Sequence, residues 1–107
     1  MIEYTETHEW IFLDGTIATV GLSEKAQKEL GEIVFLDLPK IGIITQKEDP
    51  ICVLESTKAA VDLYCPITGT VIAVNSLLQD CPEKINELPE REKWLYKIQT
   101  LPSDTKD

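Results

Sequence analysis

Turn signals recur so closely along this chain that the segments between them have room for little but short β-strands. Asp14-Gly15 separates two runs, Glu9 to Leu13 and Thr16 to Val20, and is a strong hairpin signal. Trp10 and Phe12 fall on one side of the first run. Ile33 to Leu38 is apolar, β-branched and aromatic and stops at Pro39, while Ile41 to Thr45 is a weaker run. Lys47-Glu48-Asp49-Pro50 turns the chain into Ile51 to Leu54. Ala60 to Tyr64 alternates again, Pro66-Ile67-Thr68-Gly69 is another turn, and Thr70 to Val74 and Trp94 to Thr100 complete the set.

Two segments change period. Ser23 is a good N-cap, Glu24 suits a first helical turn, Ala26 to Leu30 are helix formers and Gly31 supplies the stop. Asp80-x-x-Glu83 with Pro82 reads as a capping box for a second short helix reaching Asn86. An internal echo links Gly15 to Gly21 with Gly69 to Asn75, each followed by a helix signal, as in a two-sheet sandwich with internal pseudo-symmetry. The fold class is therefore all-β with one or two short helices. A length of 107 residues suits one domain, spanning residues 1–101. The charged tail, 102–107, is expected to be flexible.

Nineteen acidic against ten basic residues give a net charge of −9. That field repels phosphate backbones and anionic membranes and favours protein partners with basic patches. The N-terminus lacks the pattern of a secretion signal or a transit peptide, so a cytoplasmic setting is expected. The three cysteines, Cys52, Cys65 and Cys81, show no paired metal-ligand spacing, and together with His8 they make a poor zinc set. They read as buried or half-buried free thiols. With a single histidine and no phosphate cradle or nucleophile elbow, no catalytic site is expected. No long apolar stripe is left over once the core is assigned, which points to a monomer.

Lys58 is the residue best placed for chemistry. Ser56-Thr57-Lys58 lies between two strands and so at a hairpin tip, where a lysine is usually just solvated. A lysine of ordinary pKa, about 10.4, is a poor nucleophile at neutral pH. At a tip it is well placed to be modified by another enzyme, with small neighbours Thr57, Ala59 and Ala60 leaving the approach open. Acylation would remove its charge and make it a tether whose root is fixed by the strands.

The run Glu55-Ser56-Thr57-Lys58-Ala59-Ala60-Val61-Asp62, with Tyr64-Cys65-Pro66-Ile67-Thr68-Gly69-Thr70-Val71 after it, resembles the lipoyl-attachment segment of glycine cleavage H proteins. In that pattern a Glu lies three residues before the modified lysine and a Gly eleven after it, as Glu55 and Gly69 do. Tyr4-Thr5-Glu6-Thr7-His8-Glu9-Trp10 resembles the family's opening H-E-W segment, and the blocks Ala18 to Ser23, Ala26-Gln27 and Leu30 to Pro39 follow in order. The resemblance implies a barrel-sandwich hybrid fold and a lipoic acid group on Lys58. It implies a shuttle rather than a catalyst. The arm would carry an aminomethyl group between a pyridoxal-phosphate glycine decarboxylase, a tetrahydrofolate-dependent aminomethyltransferase and a dihydrolipoyl dehydrogenase. A lipoyl or octanoyl transferase, or a lipoate ligase, would install the group. The family's loaded arm folds into a cleft that Thr7, Glu9 and Asp62 would line here by position.

The stretch Glu87 to Trp94 departs from the family, which carries a glycine-bearing D-P-Y-G-x-G-W-like segment and then a longer C-terminal helix. That leaves partner choice open. The alternative function is a lipoyl relay protein that delivers lipoyl groups to 2-oxoacid dehydrogenase subunits. Biotin carriers typically flank their lysine with methionines, whereas Thr57 and Ala59 stand here. An unmodified β domain is the plain structural alternative.

Overall fold

The computed structural model describes residues 2–5 and 9–101. Thr7, His8 and the expected tail, 102–107, lie outside the described residues. Two antiparallel sheets enclose the core. The larger has six strands in the order β1 (Ile2–Tyr4), β2 (Glu9–Asp14), β3 (Ile17–Leu22), β9 (Trp94–Thr100), β8 (Gly69–Val74) and β5 (Ile44–Thr45). The smaller has three, β4 (Ile33–Asp37), β6 (Pro50–Ser56) and β7 (Ala60–Tyr64). Alternation decides which residues face inward. Val20 and Leu22 of β3, Tyr96 and Ile98 of β9 and Val71 of β8 meet Ile33 and Leu36 of β4, Leu54 of β6 and Leu63 of β7 in one core cluster. The Tyr96 hydroxyl is buried there without a hydrogen-bond partner among the described residues.

Helix α1 (Glu24–Leu30) begins and ends where its caps require. The Ser23 hydroxyl accepts the Ala26 N–H at 3.1 Å, and Gly31, at φ +83°, donates its own N–H to the Gln27 carbonyl at 2.8 Å. Asp14-Gly15 closes the β2–β3 hairpin with Asp14 opposite Ile17. The internal echo also has a structural form. β3 and β8 flank β9 on opposite sides, and each leads into a helix, α1 after β3 and α2 (Ser76–Asp80) after β8. Both repeats belong to one sheet rather than to two.

Four details differ from the sequence reading. β1 was not anticipated, and the run from Ile41 shrinks to Ile44–Thr45 because Gly42 turns at φ +100°. Asp80 does not cap a helix. It is the last residue of α2, and Pro82–Glu87 forms a 3-10 helix preceded by Cys81, whose side chain makes no cap bond. Proline has no N–H to continue α2, so the chain restarts there and buries Ile85 instead. Finally, an apolar strip does remain outside the core. Ile41, Ile43, Ile44 and Ile72 stand 40–72% exposed beside the edge strand β5.

The cysteines divide more sharply than expected, with Cys52 and Cys65 buried and Cys81 exposed. Burial, with Asp37 and Glu9 nearby, pushes the Cys52 thiol up to about 12. Burial also raises Cys65, whose Sγ lies 2.9 Å from the Ile67 carbonyl. Only a thiolate reacts readily with a disulfide reagent. In the native protein a colorimetric disulfide reagent at pH 8 should therefore titrate one thiol quickly, the one lost in Cys81→Ser. Rapid reaction of a second thiol would contradict this packing.

Candidate functional site

β6 and β7 pair with Leu54 opposite Val61 and Glu55 opposite Ala60, which leaves Ser56 to Ala59 to turn the chain. The Ser56 side chain organises that turn. Its Oγ accepts the Lys58 N–H at 3.0 Å and the Ala59 N–H at 3.1 Å, while the Ser56 N–H donates to the Ala59 carbonyl at 2.8 Å. Thr57, Lys58, Ala59 and Ala60 are all exposed. The tip is also tied sideways, because the Thr57 N–H donates to the Glu32 carbonyl at 3.0 Å. Lys58 thus stands on a turn fixed from two directions.

Beside it lies Gly31. A Cβ added there would come within 3.7 Å of Lys58 Cε, 3.9 Å of Lys58 Cδ and 3.4 Å of Thr57 Oγ1. The stem of Lys58 therefore runs over the bare backbone at the end of α1. Sequence reading gave Gly31 only the role of a helix stop.

The other anticipated residues are spread more widely. Glu55 is exposed on β6 between Phe35 of β4 and Ala60 of β7. Asp62, on β7, lines a cleft of about 260 Å³ against α1, with Leu22, Ala26, Glu29, Leu30, Val61 and Leu63. Glu9 is 1% exposed and lines a different cleft, about 440 Å³, with Tyr64 and Cys65. The Thr5 hydroxyl donates to Glu9 Oε1 at 3.3 Å and accepts the Glu9 N–H at 3.1 Å. Leu22 links the two clefts, being opposite Glu9 in the β2–β3 ladder while lining the cleft of Asp62. Thr7 lies outside the described residues. Gly69 is far along the chain at the start of β8, between Thr45 and Thr100, where a Cβ would meet the Gln99 carbonyl at 2.2 Å. Among the described residues no group of three or more His, Cys, Asp or Glu side chains is arranged to hold a metal.

The stretch before β9 fits into the molecule through contacts that local sequence does not announce. Glu90, in a short 3-10 helix (Glu90–Glu92), accepts the Tyr4 hydroxyl at 2.8 Å and the Glu24 N–H at 2.9 Å through its carboxylate. Its carbonyl accepts the Trp10 indole N–H at 3.0 Å. A carboxylate at the first turn of α1 is also favourable to the helix dipole. Lys93 is 5% exposed, and its ammonium donates to Gln27 Oε1. Asn86 hydrogen-bonds both backbone groups of Ile33, at 2.9 Å each.

Against known proteins, residues 2–107 match the model of the glycine cleavage H-protein family. The chain belongs to that family. A glycine cleavage system H protein of Rubrobacter xylanophilus is 47% identical over 95 residues, covering 89% of this chain and 75% of the relative. That of Thermotoga maritima is 43% identical over 99 residues, covering 92% and 80%. The crystal structure of a glycine cleavage system H protein from Mycobacterium marinum superposes with a TM-score of 0.84 at 34% identity, covering 92% of this chain and 83% of that one. The expected barrel-sandwich fold is thereby established for this H-protein family member.

Proposed function

We propose that this chain works as the lipoyl carrier of the glycine cleavage system, with Lys58 as the residue that bears the lipoyl group. Membership of the H-protein family supports the system. The exposed lysine on a doubly tied hairpin tip carries the residue assignment. When attached, the group supplies a disulfide–dithiol pair for accepting and releasing a one-carbon amine unit. The chain's own contribution is mechanical and electrostatic. Ser56 and the Glu32 carbonyl fix the root of the arm, Ala59 and Ala60 leave the amine open to a lipoyl or octanoyl transferase or a lipoate ligase, and Gly31 gives the stem a smooth bed.

The partners in this reading are the glycine decarboxylase, the aminomethyltransferase and the dihydrolipoyl dehydrogenase of the same system. Catalysis belongs to them, and the chain is a carrier in the cytoplasm. No helix among the described residues is long and apolar enough to cross a membrane. Glu55 and Gly69 support the attachment motif from a distance, Glu55 on the strand leading to the tip and Gly69 through the β8–β9 contact. The cleft beside Asp62, walled by Leu22, Ala26, Leu30 and Leu63, suits an aliphatic arm with a charged end, with Glu9 one cross-strand neighbour away.

Incubation with a lipoate ligase, lipoate and ATP should add one lipoyl mass to the purified protein, mapped by peptide sequencing to Lys58. Lys58→Arg should show none, since a guanidinium stays protonated and does not acylate. Undiminished loading of Lys58→Arg, or an adduct mapped to another lysine, would refute the assignment.

A further inference from the structure

The outer face of the larger sheet carries a groove that the carrier role does not use. Ile2 of β1, Phe12 of β2, Thr19 of β3 and Lys97 of β9 stand opposite one another in register, one row across four strands. Trp10, two residues before Phe12, shares its face of β2. Its indole packs over Gly21, where an added Cβ would collide with the ring and with the Lys93 carbonyl. Trp10 is 3% exposed and forms a floor, while Phe12 is 37% exposed. Trp94 lies beside them, with the Lys97 ammonium 5.2 Å from its ring centroid. Arg91 closes the rim. The short 3-10 helix that carries it is held down by the Trp10 indole N–H, which donates to the Glu90 carbonyl at 3.0 Å. Together these side chains bound a volume of about 260 Å³.

Charge sets this groove apart. The chain has nineteen acidic residues against ten basic ones, and the clefts beside Glu9, Lys93 and Asp62 all contain carboxylates. Among the described residues this groove is lined by two cations and no carboxylate. The carboxylate of Glu90, next to Arg91, is already taken up by the Tyr4 hydroxyl and the Glu24 N–H. A polyanion would meet the whole field of −9 and be repelled. A small monoanion responds to its nearest charges, because salt screens the rest beyond about 10 Å at 0.1 M. Sites for drug-sized ligands begin at roughly 300 Å³, so this volume suits a group of one or two rings.

We propose that the groove is a binding site for small aromatic carboxylates. The ring displaces water from Ile2, Phe12 and the Trp10 floor, and the carboxylate is held by Lys97 and Arg91. Thr19 stands between Phe12 and Lys97 in the row and offers its hydroxyl where ring and carboxylate meet. Binding is non-covalent and moves no proton. The groove belongs to the larger sheet and Lys58 to a hairpin of the smaller one, so the inference does not depend on the attachment residue.

The test is a titration of the nitrogen-15-labelled protein with 2-naphthoate, followed by NMR. Both tryptophans of the chain line the groove, so the two indole N–H signals report on this site alone. Both should shift and saturate with a Kd on the order of 1 mM, as expected for a ligand of this size. Lys97→Gln and Arg91→Gln should each weaken binding about 5–10-fold, through loss of a charge-assisted hydrogen bond. 2-Naphthylmethylamine has the same rings with a cation in place of the anion, and should bind at least about 10-fold more weakly. That comparison uses the unaltered protein and so holds whether or not the variants fold. Equal binding of acid and amine overturns the inference. So do indole signals that stay in place, or an affinity for 2-naphthoate that survives both substitutions in a protein whose other amide signals are unchanged.

Discussion

Gly69→Ala is expected to destabilise the protein by about 3 kcal/mol or more, among the larger effects of adding one methyl group to a packed interior. The reason is space rather than backbone conformation. A Cβ at Gly69 would lie 2.2 Å from the Gln99 carbonyl oxygen, 2.5 Å from Ile98 Cγ2 and 3.0 Å from the Gln99 carbonyl carbon. Two of those atoms are backbone in the strand to which Gly69 is paired, so no rotamer change relieves the contact. β8 and β9 must separate locally, and with them the inward Val71 and Ile98. For a domain of this size the loss corresponds to a fall in Tm of roughly 12–24 °C. Gly15→Ala is the control. That glycine has φ +62° and nothing within 4 Å of an added Cβ, so alanine there meets conformational strain alone, about 1 kcal/mol. Denaturant unfolding of the two variants separates the effects. A Gly69→Ala protein within 1 kcal/mol of wild type would mean that β8 and β9 do not cross as closely as described.

The same residue shows what was legible in the sequence. Its spacing of eleven from Lys58 marked it as part of the attachment pattern, and nothing local revealed that its reason is a close strand crossing in the opposite sheet. The β2–β3 hairpin and the caps of α1 read correctly because their determinants are neighbours in the chain. Asp14-Gly15, Ser23 and Gly31 each act within a few residues of themselves. The lysine tip was legible for the same reason, being a polar tripeptide between two alternating runs.

The errors came where a local signal competed with a tertiary one. Asp80-x-x-Glu83 has the form of a capping box, but Leu78 is pulled into the core two residues earlier and Asp80 ends the helix that carries it. Asn86, Glu90 and Lys93 carry ordinary surface-type side chains, and no periodicity distinguishes them. Their partners lie 53, 80 and 66 residues away, in Ile33, Trp10 and Gln27, so their roles exist only once the chain has folded. That is also why the departure of Glu87 to Lys93 from the family pattern looked like a loss in sequence. In the fold it is a replacement, with a carboxylate against α1 and a buried ammonium bonded to Gln27 of the same helix.

Asn86→Ala is expected to cost about 2–4 kcal/mol, because one side chain stands in for an additional strand. β4 is the edge of the smaller sheet and, among the described residues, pairs only with β6. On its open side Asn86 Oδ1 accepts the Ile33 N–H, and Asn86 Nδ2 donates to the Ile33 carbonyl at 2.9 Å and to the Glu83 carbonyl at 3.0 Å. Ile33 is wholly buried, so removing the amide leaves two backbone groups without partners where water cannot readily replace them. Asn86→Asp keeps the acceptor but sets a carboxylate oxygen against the Ile33 carbonyl, and should be no better than alanine. The effect should also reach the site. Ile33 follows Glu32, whose carbonyl holds the Thr57 N–H beside Lys58. Hydrogen exchange at Thr57 should accelerate in Asn86→Ala under conditions where the β9 amides of Tyr96 and Ile98 stay protected, since local opening of an edge does not require global unfolding. Equal acceleration at both places would show that Asn86 serves only overall stability. A selective change at Thr57 would show that the 3-10 helix before β9 holds the lysine tip in position through one asparagine.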